Sequence, residues 1–126
     1  MNIERVNEIV EGTLLFAPDA ACSCESAFAS DLMSDVLRYY MENTILITGL
    51  CTLQTIRTAE ISNIPCIVFA RGKQVSDPML QLAKENGIAI IESGLTLFEV
   101  SGRLYQHGLK SVQEYLHSKK EEDRQR

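Results

Sequence analysis

Two Ser-Asp pairs stand one helical turn apart in the stretch SDLMSDV, as Ser30-Asp31 and Ser34-Asp35. Two carboxylates at that spacing bind a cation or move a proton when a histidine or a third carboxylate joins them, and no such motif accompanies them. On local grammar Ser30 reads as a helix N-cap, Asp31 as a first-turn carboxylate favoured by the helix dipole, and Asp35 with Arg38 as an exposed ion pair. The alternative places Asp31 and Asp35 beside the edge of a sheet, where they orient a ligand or mark a contact between subunits.

Thiols offer a second chemistry. Cys22-Ser23-Cys24 can chelate a metal, and Cys51 falls where a helix N-terminus would lower its pKa. Zinc and iron–sulfur sites call for C-x-x-C pairs or longer fixed spacings, which the chain lacks, and Cys66 inside IPCIVFA reads as a small buried hydrophobe. The expectation is free thiols, no metal and no cofactor, with an iron–sulfur cluster on Cys22, Cys24 and Cys51 as the alternative. His107 and His117, near the ends of the last helices, suit capping or surface roles. Ser34, Ser93 and Cys51 have no nucleophile elbow or placed base around them, so an enzyme is not expected.

The elements that must position these groups follow from hydrophobic period and turn chemistry. A chain of 126 residues, 45% hydrophobic, builds one compact core. Its net charge of −5 argues against nucleic acid as a partner. No apolar run approaches the length of a membrane span, and a cytoplasmic location is expected. Glu4 to Val10 has helical spacing, and TLLFAP and ESAFAS read as strands on either side of a small, turn-like AACSC. SDLMSDVLRYY carries Leu32, Met33, Val36, Leu37 and Tyr40 on one stripe, which predicts an amphipathic helix.

TILIT and IPCIVFA are runs expected of strands covered on both faces, with LQTIRTAEIS as a helix between them. Asp77 reads as the N-cap of PMLQLAKEN with Pro78 at its first position, Asn86-Gly87 ends that helix, and IAIIES is the next strand. TLFEVSGRLYQHG offers Thr96 as N-cap, Glu99 three residues on, and a Leu95–Val100 staple. After Gly108, KSVQEYLHS reads as helix and KKEEDRQR as a frayed, charged end.

Strand and helix alternate from Thr44 to His107, which predicts right-handed crossovers and a mostly parallel sheet in a three-layer α/β/α domain. The expected organisation is one domain over residues 1–109 and a charged helical tail over 110–126. In such sheets ligands bind beyond the carboxyl ends of the strands. Those ends are Thr48-Gly49-Leu50-Cys51-Thr52, Ala70-Arg71-Gly72-Lys73 and Glu92-Ser93-Gly94. Hydroxyls, glycines and two cations gather there and suit an anion such as a phosphate, with Thr48, Gly49, Thr52, Arg71, Gly72 and Ser93 as the candidate ligand-binding residues. There is no Walker or G-x-G-x-x-G loop.

SDLMSDV, TILITG, the run from IPCIVFA to IAIIES and FEVSGRLYQHG together resemble the DRTGG domain, over roughly residues 28–109. They resemble more closely the small stand-alone proteins of that kind, which are related to the N-terminal domain of HPr kinase/phosphorylase. The resemblance implies a regulatory or ligand-sensing module that is not itself catalytic. Such domains accompany CBS domains in some pyrophosphatases, and they often form homodimers or serve a larger enzyme. Some stand-alone relatives are encoded near iron-only hydrogenase components, which is the ground for a redox or iron–sulfur accessory role as the runner-up, and a pure protein-interaction scaffold is the third reading. Where the family pattern has Asp-Arg-Thr after its second strand, this chain has Leu50-Cys51-Thr52, so only Thr52 carries over.

Overall fold

A computed structural model of the chain describes residues 1–19 and 22–125, so the expected turn at AACSC lies partly, at Ala20 and Ala21, outside the described residues. Helix α1 (Ile3–Ile9) and strand β1 (Thr13–Phe16) come first, followed by strand β2 (Ser26–Ala29) and a one-turn helix α2 (Met33–Val36). Three strand–helix pairs follow: β3 (Thr44–Thr48) with α3 (Leu53–Ile61), β4 (Cys66–Phe69) with α4 (Asp77–Glu85), and β5 (Ala89–Glu92) with α5 (Leu97–Gln106). A two-residue strand β6 (Lys110–Ser111) and helix α6 (Val112–Arg124) complete the order.

The six strands form one sheet in the order β1-β5-β4-β3-β2-β6. β2 to β6 are parallel to their neighbours, and β1 runs antiparallel along β5. Chain direction explains the layers. From β2 to β5 each strand is added on the same side of the last, whereas the step from β5 to β6 returns across the sheet; with one hand of crossover, its helix must lie on the opposite face. Accordingly α2, α3, α4 and α6 cover one face and α5, with α1, the other.

The strands alternate between the two cores with the period of two that a pleated strand imposes. Ile45, Ile47, Val68 and Ile91 meet Val6, Val100 and Leu104 on one side, while Leu46, Ile67, Phe69 and Ile90 meet Val36, Ile56, Ala59 and Met79 on the other. All five residues of β3 are buried, as its β-branched sequence requires.

Three local expectations are corrected. The helix expected over SDLMSDVLRYY is a single turn whose N-cap position is Leu32, not Ser30. Its stripe is only half used: Met33 and Val36 are buried, while Leu32, Leu37 and Tyr40 are exposed. Ser76, not Asp77, caps α4, by accepting from the Met79 amide, and Asp77 takes the first turn. Beyond Gly108 the chain first pairs Lys110 and Ser111 with Ser26 and Ala27 of β2, and only then turns helical. Ser111 caps α6, which buries Val112 and Tyr115 and stays helical to Arg124 through the stretch expected to fray.

Candidate functional site at the carboxyl edge of the sheet

Thr48, Phe69 and Glu92 lie in register across β3, β4 and β5, so the turns that follow these strands share one rim. Sheet pairing carries on past the strand ends, with the Ala70 amide donating to Thr48 O and the Ser93 amide to Phe69 O. Helix α4 leaves β4 towards one face and α5 leaves β5 towards the other, the arrangement at which ligands bind in open α/β sheets.

Asp31 is the centre of the rim. One carboxylate oxygen accepts from the Gly49 amide at 2.7 Å and from the Thr48 hydroxyl at 3.0 Å, and the other faces the Arg71 guanidinium at 3.2 Å. This corrects its placement in the first turn of a helix. Ser30, expected as the cap, instead accepts from the Leu32 amide, a local turn that directs residue 31 towards the sheet. The amide of Gly49 is the main cause that holds the Asp31 carboxyl below the usual range, ahead of the Thr48 hydroxyl and the Arg71 charge; partial burial acts the other way.

Arg71 reaches this carboxylate through an unusual backbone. It has φ of 67° and Gly72 has φ of 70°, two consecutive left-handed residues. Such a conformation at a non-glycine costs on the order of 1 kcal/mol. Hydrogen bonds from the Arg71 amide to Leu95 O and from the Gly72 amide to Ser93 O hold it in place. The guanidinium then lies over Gly49, where any Cβ would overlap it. A side chain at 49 would fit only with the Arg71 guanidinium moved aside.

The remaining candidates divide. Thr52 caps α3 by accepting from the Thr55 amide, and the Leu50 amide donates to the Thr48 hydroxyl. Ser93 is on the same rim, but its buried hydroxyl donates to Val10 O at 2.7 Å and accepts from the Leu95 amide, a structural employment. Asp35 stays with Arg38 at 3.9 Å on the surface of α2 and does not join the cluster. Glu92 was not singled out from the sequence. Its carboxylate accepts from the Val75 amide at 2.7 Å and pins the loop that carries Arg71, a tertiary bond with no local sequence signature.

The thiols are arranged differently from the sequence expectation. Cys51 follows β3 at the carboxyl rim, while Cys22 and Cys24 precede β2 at the opposite edge, so the three do not come together. Burial and the nearby Glu92 carboxylate raise the Cys51 pKa against the pull of Lys73, reversing the expected lowering at a helix start. Cys22 shares a hydrogen bond with Cys24, and burial pushes the Cys24 thiol up to about 12. Among the described residues no group of three His, Cys, Asp or Glu side chains is placed to hold a metal ion. None of the described helices is long and apolar enough to cross a membrane.

What the rim offers is hydrogen-bond and charge chemistry for an oxyanion: an amide, a hydroxyl and a guanidinium aimed at one place. The family model described as HPr Serine kinase N terminus matches residues 52–107. That segment contains Thr52, Arg71, Gly72 and Ser93, while Asp31, Asp35, Thr48 and Gly49 precede it. No curated protein sequence gives a significant match. Among solved structures, the fold is similar to the CBS and DRTGG domains of the regulatory region of Clostridium perfringens pyrophosphatase, complexed with the activator diadenosine tetraphosphate. The TM-score is 0.69 at 13% identity, covering 87% of this chain and 47% of that one. The present chain thus spans about half the length of its structural neighbour, and at that identity the likeness is one of fold. Both findings accord with the DRTGG-like resemblance: FEVSGRLY lies within the matched segment and SDLMSDV before it, and the α/β architecture is similar to that of the DRTGG-containing neighbour.

Proposed function

We propose that this chain is a non-catalytic regulatory domain that self-associates and senses a small anionic metabolite of the nucleotide or phosphorylated class at the carboxyl edge of its sheet. The observation that carries the reading is the convergence of the Gly49 amide, the Thr48 hydroxyl and the Arg71 guanidinium on one carboxylate, that of Asp31. These donors suit phosphate oxygens as well as carboxylate oxygens. In the absence of ligand Asp31 holds the place of the incoming anion. A phosphate that takes over the Gly49 amide and Arg71 releases Asp31, and with it the segment into α2, whose Leu32 and Leu37 already face solvent. Because Asp31 and Arg71 are half-exposed, their pairing is worth little and yields readily to a better-charged partner. The regulatory setting of the structural neighbour and the nucleotide bound there support the same class of role.

Thermal denaturation against inorganic phosphate, ATP and diadenosine tetraphosphate tests this. A ligand present at about 100 times its Kd stabilises the folded chain by about 2.7 kcal/mol, a shift of several degrees for a domain of this size. The shift is expected with at least one nucleotide and is expected to vanish in Arg71→Ala. A flat response to all three, or one that survives Arg71→Ala unchanged, contradicts the assignment.

A further inference from the structure

Strand β2 leaves a hollow on the face that carries α5. Where β3 presents Ile45 and Ile47 to that face, β2 has Ala27 and Ala29 in register, and Ser111 of β6 lies beside Ala27. Val100 and Leu104 of α5 pack into the core on the β3 side, so the shortage of side-chain volume falls along β2. Interiors close such gaps with larger residues. This one stays open, as a cleft of about 120 Å³ floored by Ala27, Ala29 and Ile47 and walled by Ser101 and Tyr105 of α5.

Its lining is that of a ligand pocket, apolar with a few polar groups among it. Tyr105, 62% exposed, brings an aromatic ring to one wall, and Lys110 brings a cation to the inner end. The Ser111 hydroxyl oxygen accepts from the Glu114 amide, which leaves its O–H to donate. Among the described residues no carboxylate lines the cleft. Donors beside an aromatic wall suit a flat ring with acceptor nitrogens and do not suit a cation. The volume falls below the roughly 300–1,000 Å³ of a pocket that takes a whole small molecule, so the cleft holds part of one. Its outer end meets the rim: Ala29 stands two residues before Asp31, and Ile47 directly before Thr48. The Ser30 amide, donating to Ile47 O at 3.0 Å, keeps the chain on the sheet between the two. From Ala27 to residue 31 is about 13 Å of strand.

We infer that the cleft holds the base of a nucleoside polyphosphate whose terminal phosphates sit among the Gly49 amide, the Thr48 hydroxyl and Arg71. The base lies against Tyr105 over the two alanines, the ribose passes Ala29, and Lys110 and Ser111 donate to acceptors on the ring edge. Stacking on a tyrosine tolerates any base, so the donors at the inner end supply what preference there is. The inference rests on the reading of the rim as an anion site. It narrows the phosphorylated class named above to nucleotides, because a bare phosphate leaves the cleft empty.

Isothermal titration of ATP and of inorganic tripolyphosphate into wild type, Tyr105→Ala, Ser101→Leu and Arg71→Ala tests it. Tyr105→Ala removes the aromatic wall, and Ser101→Leu plugs the cleft from an exposed helix flank; thermal unfolding without ligand checks that both fold. Wild type should bind ATP at least about tenfold more tightly than tripolyphosphate. Both cleft substitutions should erase that advantage while leaving tripolyphosphate binding unchanged, and Arg71→Ala should abolish binding of both. Equal affinity of wild type for the two ligands overturns the base site. So does an ATP advantage that survives both cleft substitutions, or tripolyphosphate binding that weakens along with ATP in them. In each of these cases the rim stands if Arg71→Ala still abolishes tripolyphosphate binding. A wild type that binds neither ligand overturns the rim and the cleft together.

Discussion

At the scale of the residue, Asp31 joins three structural segments: its own turn, the end of β3 and the loop after β4. Its type was legible in SDLMSDV, and its place was not. Local grammar set Ser30 as a cap and Asp31 inside a helix, but the Gly49 amide, 18 residues away, offered a stronger partner than a helix dipole. The folded carboxyl titrates below its ordinary value of 3.8, so its stabilisation is fully present above that pH and disappears as pH falls through the lowered value. Denaturant unfolding of wild type and Asp31→Asn should therefore differ by about 1 kcal/mol at neutral pH and begin to converge only as pH falls below 3.8. A gap that persists undiminished in acid means that this carboxylate is not what Gly49 holds. Gly49→Ala should expel the Arg71 guanidinium at a cost below about 1 kcal/mol, because a flexible, half-exposed side chain can move aside. The same substitution should abolish the anion response, read by thermal shift; a retained response removes Arg71 from the site.

Among the elements, those with strong periodicity or turn chemistry were legible and the short ones were not. TILIT, IPCIVFA and the Thr96 cap read correctly because β-branched runs and cap side chains act locally. The helix after Ser30 was over-read because a stripe such as Leu32, Met33, Val36, Leu37 and Tyr40 signals only that a face exists. Burial decides whether it is used, and only Met33 and Val36 find the core. Strand β6 escaped because two residues cannot display an alternation; only pairing with β2 defines it. Thr52 shows an element and a site sharing one residue, since its hydroxyl caps α3 directly beneath the rim. Thr52→Ala should cost about 1 kcal/mol, measured by denaturant unfolding. A loss of nucleotide response with unchanged stability would instead assign that hydroxyl to the ligand.

For the molecule as a whole, strand–helix alternation gave the three layers and the shared rim, since parallel strands with one hand of crossover put their following turns on the same edge. The return of β6 to the side of β2, and the antiparallel β1 on the far edge, depend on where short edge strands find partners, which no local pattern encodes. The core between the layers sets stability. Leu104, buried between α5 and the sheet, should cost about 2–5 kcal/mol on replacement by alanine. That loss should leave the nucleotide response of the remaining folded protein unchanged, because the rim and the core are separate. The convergence of three donors on Asp31 is tested most directly by isothermal titration of diadenosine tetraphosphate or ATP into wild type, Asp31→Asn and Arg71→Ala. Removing the resident charge should tighten binding on the order of tenfold in Asp31→Asn, and Arg71→Ala should abolish it. Binding that weakens in Asp31→Asn, or is indifferent to both substitutions, would contradict the view of Asp31 as the anion's placeholder.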